Sequence, residues 1–362
     1  MSLARLVYDG ANLRLFGPHG RDTAIPFDGE RLEELCEYTT RYERATKRKD
    51  AAALVELGQA LTQWLDGGGR AWSAIVDEAV APLGFEISVP RRKRSDGRRA
   101  LLMAPWEILA DDVGHLALLP DVGLMVWRRL GVVSETTNAP PDVALSVLFM
   151  AADPTGQVRL DYEREEQAIL SATKSLHLDL FVEETGTARE FGERLSRLQT
   201  PEQSVSVVHL SCHGLLGEEP ALLLESTEGN PERCTARDLM QAAPELKRVP
   251  LAFVSACLTA QAGAGDVTSL AESLVSQGLA AGLGWAGSVY DSEATTFASK
   301  LYQRLAQGGR LEEAVGFARV ELCKVRREAG KESAHWHLAR LLLGAEGGVY
   351  WPEQMHRDGC GA

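Results

Sequence analysis

Two short apolar segments constrain the fold of this chain more than any other feature. Residues 205–210 (VSVVHL) and 249–254 (VPLAFV) are rich in β-branched residues and have the length of strands. Apolar runs of this length indicate strands buried on both faces, as in a parallel sheet covered by helices. Each run ends shortly before a reactive side chain, His213 in the first case and Cys257 in the second.

In an open parallel sheet, the carboxyl ends of the strands line the ligand crevice. His213 and Cys257 would then lie side by side at one edge of the sheet, as a cysteine protease requires. The backbone N–H of Gly214 could join that of Cys257 in holding an oxyanion. The alternative is a hydrogen-bonded core histidine and a small buried thiol, the usual fate of both residue types. The residues alone leave the two interpretations equally open.

Composition narrows the possible functions. The 362 residues are 45% hydrophobic and 25% charged, which is typical of a soluble globular protein. The net charge of −13 argues against nucleic acid as a partner. No apolar stretch is long enough to cross a bilayer, and the N-terminus lacks a signal-peptide core. We therefore predict a cytoplasmic protein with no membrane or nucleic-acid partner.

The cysteines and glycines argue against a bound cofactor or metal. Six cysteines without a repeating spacing do not predict a disulfide framework in a cytoplasmic chain. A zinc site would need Cys212, His213, Cys234 and Cys257, but no Cys-x-x-Cys pair is present. No Gly-x-Gly-x-x-Gly motif follows an early strand, which disfavours a thiol transferase on a flavodoxin-like, nucleotide-binding fold. We predict neither a cofactor nor a metal.

The N-terminal part of the chain reads as mixed α and β structure. Residues 4–8 and 12–16 are β-like and flank an Asp-Gly turn, which predicts a hairpin. Residues 28–66 have leucines at three- and four-residue spacings, which predicts helix. Residues 101–109 and 117–127 are apolar and resemble buried strands broken by turns.

A Pro-containing connection at residues 138–142 marks a boundary. We assign residues 1–140 to an N-terminal α+β region and residues 141–362 to a catalytic core. From Val143 onward, strand patterns alternate with helix patterns. Such alternation predicts an α/β fold with a mostly parallel sheet and helices on both faces.

An ordered series of motifs resembles the CHAT domain, a branch of the caspase-like (clan CD) cysteine peptidases that include separase. The motifs keep the family order over roughly two thirds of the chain. They are 104–109 (APWEIL), 160–166 (LDYEREE), 208–214 (VHLSCHG), 254–257 (VSAC), 278–282 (GLAAG), 289–294 (VYDSEA), 311–319 (LEEAVGFAR) and 336–344. The resemblance implies a caspase-like fold and a cysteine endopeptidase, with His213 as the catalytic histidine and Cys257 as the nucleophile. Strand alternation turns Cys212 to the opposite face.

The resemblance also implies a specificity pocket. The matching segment of separase is acidic and receives an arginine, so Asp291, with Glu293 as a second candidate, would favour Arg or Lys before the scissile bond. The alternative is that Asp291 caps the helix that begins near Ala294. Gly287 stands where the family usually has Trp, which would alter the pocket wall. Asp153, at the end of the first core strand, is a further candidate for an acidic pocket.

Bacterial CHAT proteases often act in antiviral defence or regulated cell death. The resemblance therefore implies a protein substrate, for example a gasdermin-like protein, and an activating protein in trans, because no sensor repeat is recognisable. A different class of function is a non-catalytic caspase-like module that binds a partner through the crevice. The presence of both His213 and Cys257 favours the enzyme.

Overall fold

A single large sheet runs through both parts of the chain. The computed structural model describes residues 1–91, 95–131, 145–200, 203–257, 261, 269–330 and 335–345. In these ranges eleven strands form the sheet, in the order β3 (Asp22–Ile25), β2 (Leu13–Phe16), β1 (Ser2–Tyr8), β4 (Leu83–Val89), β5 (Met125–Leu130), β14 (Ala339–Leu343), β13 (Ala281–Trp285), β12 (Leu251–Ser255), β8 (Val207–Ser211), β6 (Leu145–Ala151) and β7 (Leu178–Glu183). The predicted boundary near residue 140 lies outside the described residues. No helix in the described ranges is long and apolar enough to cross a membrane.

The N-terminal region contributes five strands and four helices from its described residues. The predicted hairpin is confirmed: β1 pairs antiparallel with β2, and Asp9 Oδ1 accepts hydrogen bonds from the N–H groups of Ala11 and Asn12 in the turn. The predicted helical stretch forms two helices, each begun by an aspartate cap. The elements are β1 (Ser2–Tyr8), β2 (Leu13–Phe16), β3 (Asp22–Ile25), α1 (Gly29–Arg48), α2 (Ala51–Asp66), α3 (Ala71–Glu78), β4 (Leu83–Val89), α4 (Asp96–Met103) and β5 (Met125–Leu130).

Two predicted N-terminal strands are wrong. Residues 101–109 form the end of α4 and a short 3₁₀ turn, and only the last part of 117–127 belongs to a strand, β5. The Ser95 side chain caps α4 by accepting a hydrogen bond from the N–H of Arg98. These short helical pieces are buried on most sides. Because burial removes the polar face, their apolar pattern cannot be told from that of a strand.

From residue 145 the remaining part alternates strand and helix as predicted, except for four consecutive strands between residues 207 and 235. The mostly parallel α/β fold is confirmed. The antiparallel exceptions among the described residues of this part are β14 against β13 in the main sheet and both strand pairs of a smaller sheet. Within the described ranges, a second sheet has the strand order β11-β10-β9. The elements are β6 (Leu145–Ala151), α5 (Tyr162–Thr173), β7 (Leu178–Glu183), α6 (Ala188–Leu198), β8 (Val207–Ser211), β9 (His213–Leu215), β10 (Ala221–Glu225), β11 (Pro231–Thr235), α7 (Ala236–Ala242), β12 (Leu251–Ser255), α8 (Leu270–Ser276), β13 (Ala281–Trp285), α9 (Asp291–Ala306), α10 (Leu311–Glu328) and β14 (Ala339–Leu343).

Helices cover both faces of the sheet, as β13 illustrates. The Trp285 ring packs against Phe297 of α9, with ring centroids 5.0 Å apart. Gly282 has the opposite parity in the strand and faces Val275 of α8. Since alternate residues of a strand point to opposite faces, α8 and α9 lie on opposite sides of the sheet.

A buried charge cluster joins the N-terminal region to the core. Glu107 accepts hydrogen bonds from Arg128 of β5 at 2.5 and 3.0 Å, and Arg319 of α10 lies 3.4 Å away. Arg319 also donates to the carbonyl of Ala339 in β14 at 2.6 Å. All of these side chains are nearly inaccessible to solvent. The carboxylate thus holds arginines from both parts of the sheet.

Candidate active site

Two neighbouring parallel strands bring the ends of the conspicuous sequence segments together. Strand β8 pairs with β12, and the register places Ser211 opposite Ser255. His213 and Cys257 each follow one of these serines by two residues. The chain leaves the main sheet at Cys212, and His213 is the first residue of β9 in the second sheet. Adjacent strands are about 4.8 Å apart, so the two segments end side by side.

A backbone carbonyl orients the half-buried His213. Its Nε2 atom lies 2.7 Å from the carbonyl oxygen of Val158, in the loop between β6 and α5. A carbonyl oxygen only accepts hydrogen bonds, so we assign the proton of the neutral imidazole to Nε2. The second ring nitrogen, Nδ1, is then unprotonated and can accept a proton.

Solvent access separates Cys257 from the buried thiols of Cys212 and Cys234. Cys257 is partly exposed, whereas Cys212 is only 2% exposed. Burial, with smaller contributions from Cys234 and Glu165, raises the pKa of the Cys212 thiol. Burial also raises the pKa of Cys234, to about 12. Because the thiolate is the reactive form, Cys212 and Cys234 are poor nucleophiles.

Cys257 lines a small acidic pocket of about 40 Å³. Its walls include Trp285 and Val289 and three carboxylates: Asp161 just before α5, Glu165 in α5, and Asp291 at the start of α9. Asp291 is exposed and is the first residue of its helix, while the preceding Tyr290 occupies the cap position without a side-chain cap. Asp291 and Cys257 therefore line the same pocket.

The sequence reasoning did not identify Asp161 and Glu165 as pocket residues. Both residues lie in the motif at 160–166, which in the sequence indicates the family but not a pocket. Their spacing of four residues, which puts two carboxylates on one side of a helix, is a signal that could have found them.

Glu165 connects the ends of the two central strands. It is 4% exposed and accepts hydrogen bonds from Ser211 Oγ at 2.8 Å and from Ser255 Oγ at 3.0 Å. His209 Nε2 lies 3.4 Å from the same carboxylate, and His209 Nδ1 lies 3.0 Å from the Tyr302 hydroxyl. Burial raises the pKa of Glu165, but His209 and the two hydroxyls outweigh it and the pKa is lowered. The pocket is thus lined by a carboxylate whose position is fixed by hydrogen bonds from both central strands.

Two of the predicted pocket residues lie elsewhere. Glu293 is fully buried, pairs with Arg326 at 3.2 Å and contacts His335, and does not line the pocket. It points into the core because it is two residues after Asp291 and on another side of α9. Asp153 is also outside the pocket and lies 3.5 Å from Arg159. The structure therefore does not bring Glu293 or Asp153 to the pocket that Cys257 lines.

The remaining predicted site residue is Gly214. It is the second residue of β9, with Leu222 of β10 as its register partner. Its N–H is thus one residue from His213 in the same strand. In the described part of the chain, no group of three or more His, Cys, Asp or Glu side chains is arranged to hold a metal ion.

The chain belongs to the CHAT domain family. The family model matches residues 95–345, which is more than half of the sequence and contains both strand ends and the acidic pocket. The match begins within the N-terminal region and continues through β14. The resemblance to the CHAT domain seen in the sequence motifs is thereby confirmed.

Several solved structures resemble the chain at low identity. One described only as a protease is 12% identical and aligns over 89% of this chain and 76% of its own, with a TM-score of 0.47. The Arg-specific cysteine proteinase gingipain R is 11% identical and aligns over 83% of this chain and 68% of its own, with a TM-score of 0.45. Separase in the Saccharomyces cerevisiae separase–securin complex is 14% identical, and 88% of this chain covers 22% of that one, with a TM-score of 0.42. No curated protein matches the sequence significantly.

Proposed function

We propose that the chain is a cysteine endopeptidase with Cys257 as the nucleophile and His213 as the general base and acid. The observation that carries the proposal is the pairing of Ser211 with Ser255, which ends two adjacent strands beside an accessible thiol and an oriented imidazole. Such an arrangement of base, orienting group and nucleophile is the recurring pattern of covalent catalysis.

The geometry supports a two-step reaction. The Sγ atom of Cys257 loses its proton to His213 Nδ1 and attacks the scissile carbonyl carbon. The N–H groups of Gly214 and Cys257 are proposed to hold the oxyanion. His213 then gives the proton to the leaving amine as the C–N bond breaks, and a thioester remains. Water, deprotonated by the same imidazole, hydrolyses the thioester and restores the thiol.

The acidic pocket supports cleavage after a basic residue. Asp291, Asp161 and Glu165 line the space next to Cys257, so the charged end of a basic side chain that reaches it would meet carboxylates on several sides. Glu165 is already engaged by two serine hydroxyls, and Asp161 lies 3.7 Å from Arg164. The exposed Asp291 is therefore the main partner for an incoming cation. An arginine guanidinium matches such carboxylates better than a lysine ammonium, since it presents five donors in one plane.

For the biology, we propose a specific protein substrate in the cytoplasm, cut in a defence or cell-death response. A gasdermin-like substrate and activation in trans by another protein fit this role. Copurification tests the second idea: full activity of the isolated chain with no bound partner would count against an activator.

Fluorogenic peptides with Arg, Lys, Asp or Leu before the scissile bond test the enzymatic proposal. Wild type should cleave the Arg and Lys peptides, and Asp291→Ala should lose at least about tenfold in kcat/KM on them, as expected for loss of one partly desolvated charge pair. Glu163→Ala, which removes an exposed carboxylate of α5 that does not line the pocket, serves as the matched control. An unchanged preference for Arg in Asp291→Ala would show that Asp291 does not recognise the basic side chain of the substrate.

A further inference from the structure

A second cavity lies on the other side of the segment that forms the Asp291 pocket. It has a volume of about 330 Å³ and lies between α1 of the N-terminal region and residues 286–290. Val289 lines both this cavity and the Asp291 pocket. The two spaces are therefore neighbours with a shared wall.

The order of the strands determines which part of a substrate would meet this cavity. Strand β12, which leads to Cys257, lies between β8 and β13. His213 follows β8, so the leaving amine and the C-terminal product lie on the β8 side. The acyl part, which stays bound to Cys257, then extends on the β13 side. Residues 286–290 continue directly from β13, so this side leads past the Asp291 pocket to the second cavity.

The walls of the cavity are mainly apolar. The Tyr42 ring, the Leu338 side chain and Val289 contribute, and Gly287 keeps the space open. A Cβ atom added at Gly287 would lie 3.2 Å from Leu338 Cδ2, so a longer side chain there would occupy the cavity. The volume falls at the lower end of the range of roughly 300–1,000 Å³ for ligand pockets. One large apolar side chain of a substrate is a fitting occupant.

The rim of the cavity carries positive charge. Lys47 and Lys49 at the end of α1 are both exposed. The Lys49 ammonium lies 4.7 Å from the centre of the Tyr290 ring, which holds it at the rim. One carboxylate, that of Glu43, lines the same cavity and accepts a hydrogen bond from Gln261 Nε2 at 3.2 Å, and the two lysines outnumber it. The rim therefore favours an acidic side chain, opposite in sign to the preference of the Asp291 pocket.

We propose that this cavity is a substrate subsite for the residues that precede the scissile bond, taking a large apolar side chain with an acidic neighbour against Lys47 and Lys49. The inference rests on the proposed endopeptidase function and extends it. The recognised polypeptide carries an acidic–apolar pair upstream of a basic residue. The N-terminal helix α1 then takes part in substrate selection.

Peptide binding to the full-length Cys257→Ala protein tests the subsite independently of cleavage. Fluorescein-labelled peptides keep one Arg fixed, and the three positions before it are scanned through Glu, Gln, Lys, Leu and Gly, with fluorescence anisotropy as the readout. At one position, the peptide with Leu should bind at least about fivefold more tightly than the peptide with Gly. At another position, the peptide with Glu should bind about threefold more tightly than the peptide with Gln, as expected for an exposed charge pair.

Two variants and their controls sharpen the test. Lys47→Glu should reverse the preference at the acidic position, so that the Lys peptide binds better than the Glu peptide, whereas Lys174→Glu, at the far end of α5, should not. Gly287→Leu should abolish the advantage of Leu over Gly, whereas Gly29→Leu, with open space around it, should keep it. Equal affinities across the panel, unchanged preferences in Lys47→Glu and Gly287→Leu, or no peptide binding would each overturn the subsite. Cleavage of a substrate containing Arg alone by wild type reports separately on the proposed endopeptidase.

Discussion

Replacing Glu107 by Gln should destabilise the whole molecule rather than its N-terminal region alone. Glu107 lies between Arg128 of β5 and Arg319 of α10, and Arg319 in turn bonds to the β14 backbone. The substitution keeps the shape of the side chain but removes its charge. Two buried guanidinium groups then lose their compensating carboxylate, one on each side of the junction between the two parts of the sheet.

The expected magnitude follows from the pKa of Glu107. Burial acts to raise this pKa, but Arg128 and Arg319 outweigh it and lower the value from 4.5 to about 2. A pKa difference of one unit between the folded and unfolded states corresponds to 1.36 kcal/mol, so the ionised carboxylate contributes about 3 kcal/mol to stability. Because the folded-state pKa is depressed, this contribution is fully present above pH 4.5 and is lost as the pH falls towards 2. Breaking a buried pair typically costs about 3–5 kcal/mol, which agrees.

Urea unfolding followed by far-UV circular dichroism, at pH 7 and at pH 4, measures the effect. Glu107→Gln should lower the free energy of unfolding by about 3 kcal/mol at pH 7, and its loss of stability on acidification should be smaller than that of wild type. Glu163→Gln, an exposed control, should change stability by less than about 0.5 kcal/mol. A cost below about 1 kcal/mol, or a separate early transition of the N-terminal region alone, would refute the reasoning.

Three further predictions follow from other groups. Glu312 is buried, and its Oε2 has no hydrogen-bond partner among the described residues, so burial raises its pKa. Its carboxylate opposes folding as the pH rises through that pKa, and Glu312→Gln should therefore be at least as stable as wild type at pH 8 by urea unfolding; a clear loss would contradict this. Iodoacetamide at pH 7.5 should label Cys257 in the native protein long before Cys212 or Cys234, as mass spectrometry can follow, and early labelling of Cys212 would show the pocket assignment to be wrong. Asp291→Asn should shift peptide preference from Arg towards neutral residues, and retention of the full Arg preference would leave Asp161 and Glu165 as the responsible groups.

The sequence predicted the central part of the fold well because the relevant signals are local. Apolar β-branched runs, alternating with amphipathic segments, are sufficient to predict β8, β12 and the helices around them. The placement of His213 and Cys257 at strand ends followed from the same pattern, since parallel strands share one carboxyl edge.

The remaining features depend on contacts that the local pattern does not encode. Strand β14 contains Arg340, which is buried because its guanidinium donates to the Met103 carbonyl, and a charge in the middle of the segment hides its strand character. Glu293 and Asp291 are alike in sequence, and only the orientation of α9 sends one into the core and the other to the pocket. Glu165 belongs to the site because the pairing of β8 with β12 places Ser211 and Ser255 against its carboxylate, a contact that the sequence pattern does not encode.

The most direct test of the proposed nucleophile compares cleaved protein termini in cells that express wild type, Cys257→Ala or Cys212→Ala. Proteomic identification of new N-termini should find cuts after Arg or Lys with wild type and with Cys212→Ala, and none of them with Cys257→Ala. The same set of termini with Cys257→Ala would contradict the assignment of Cys257 and the account of the site built on it.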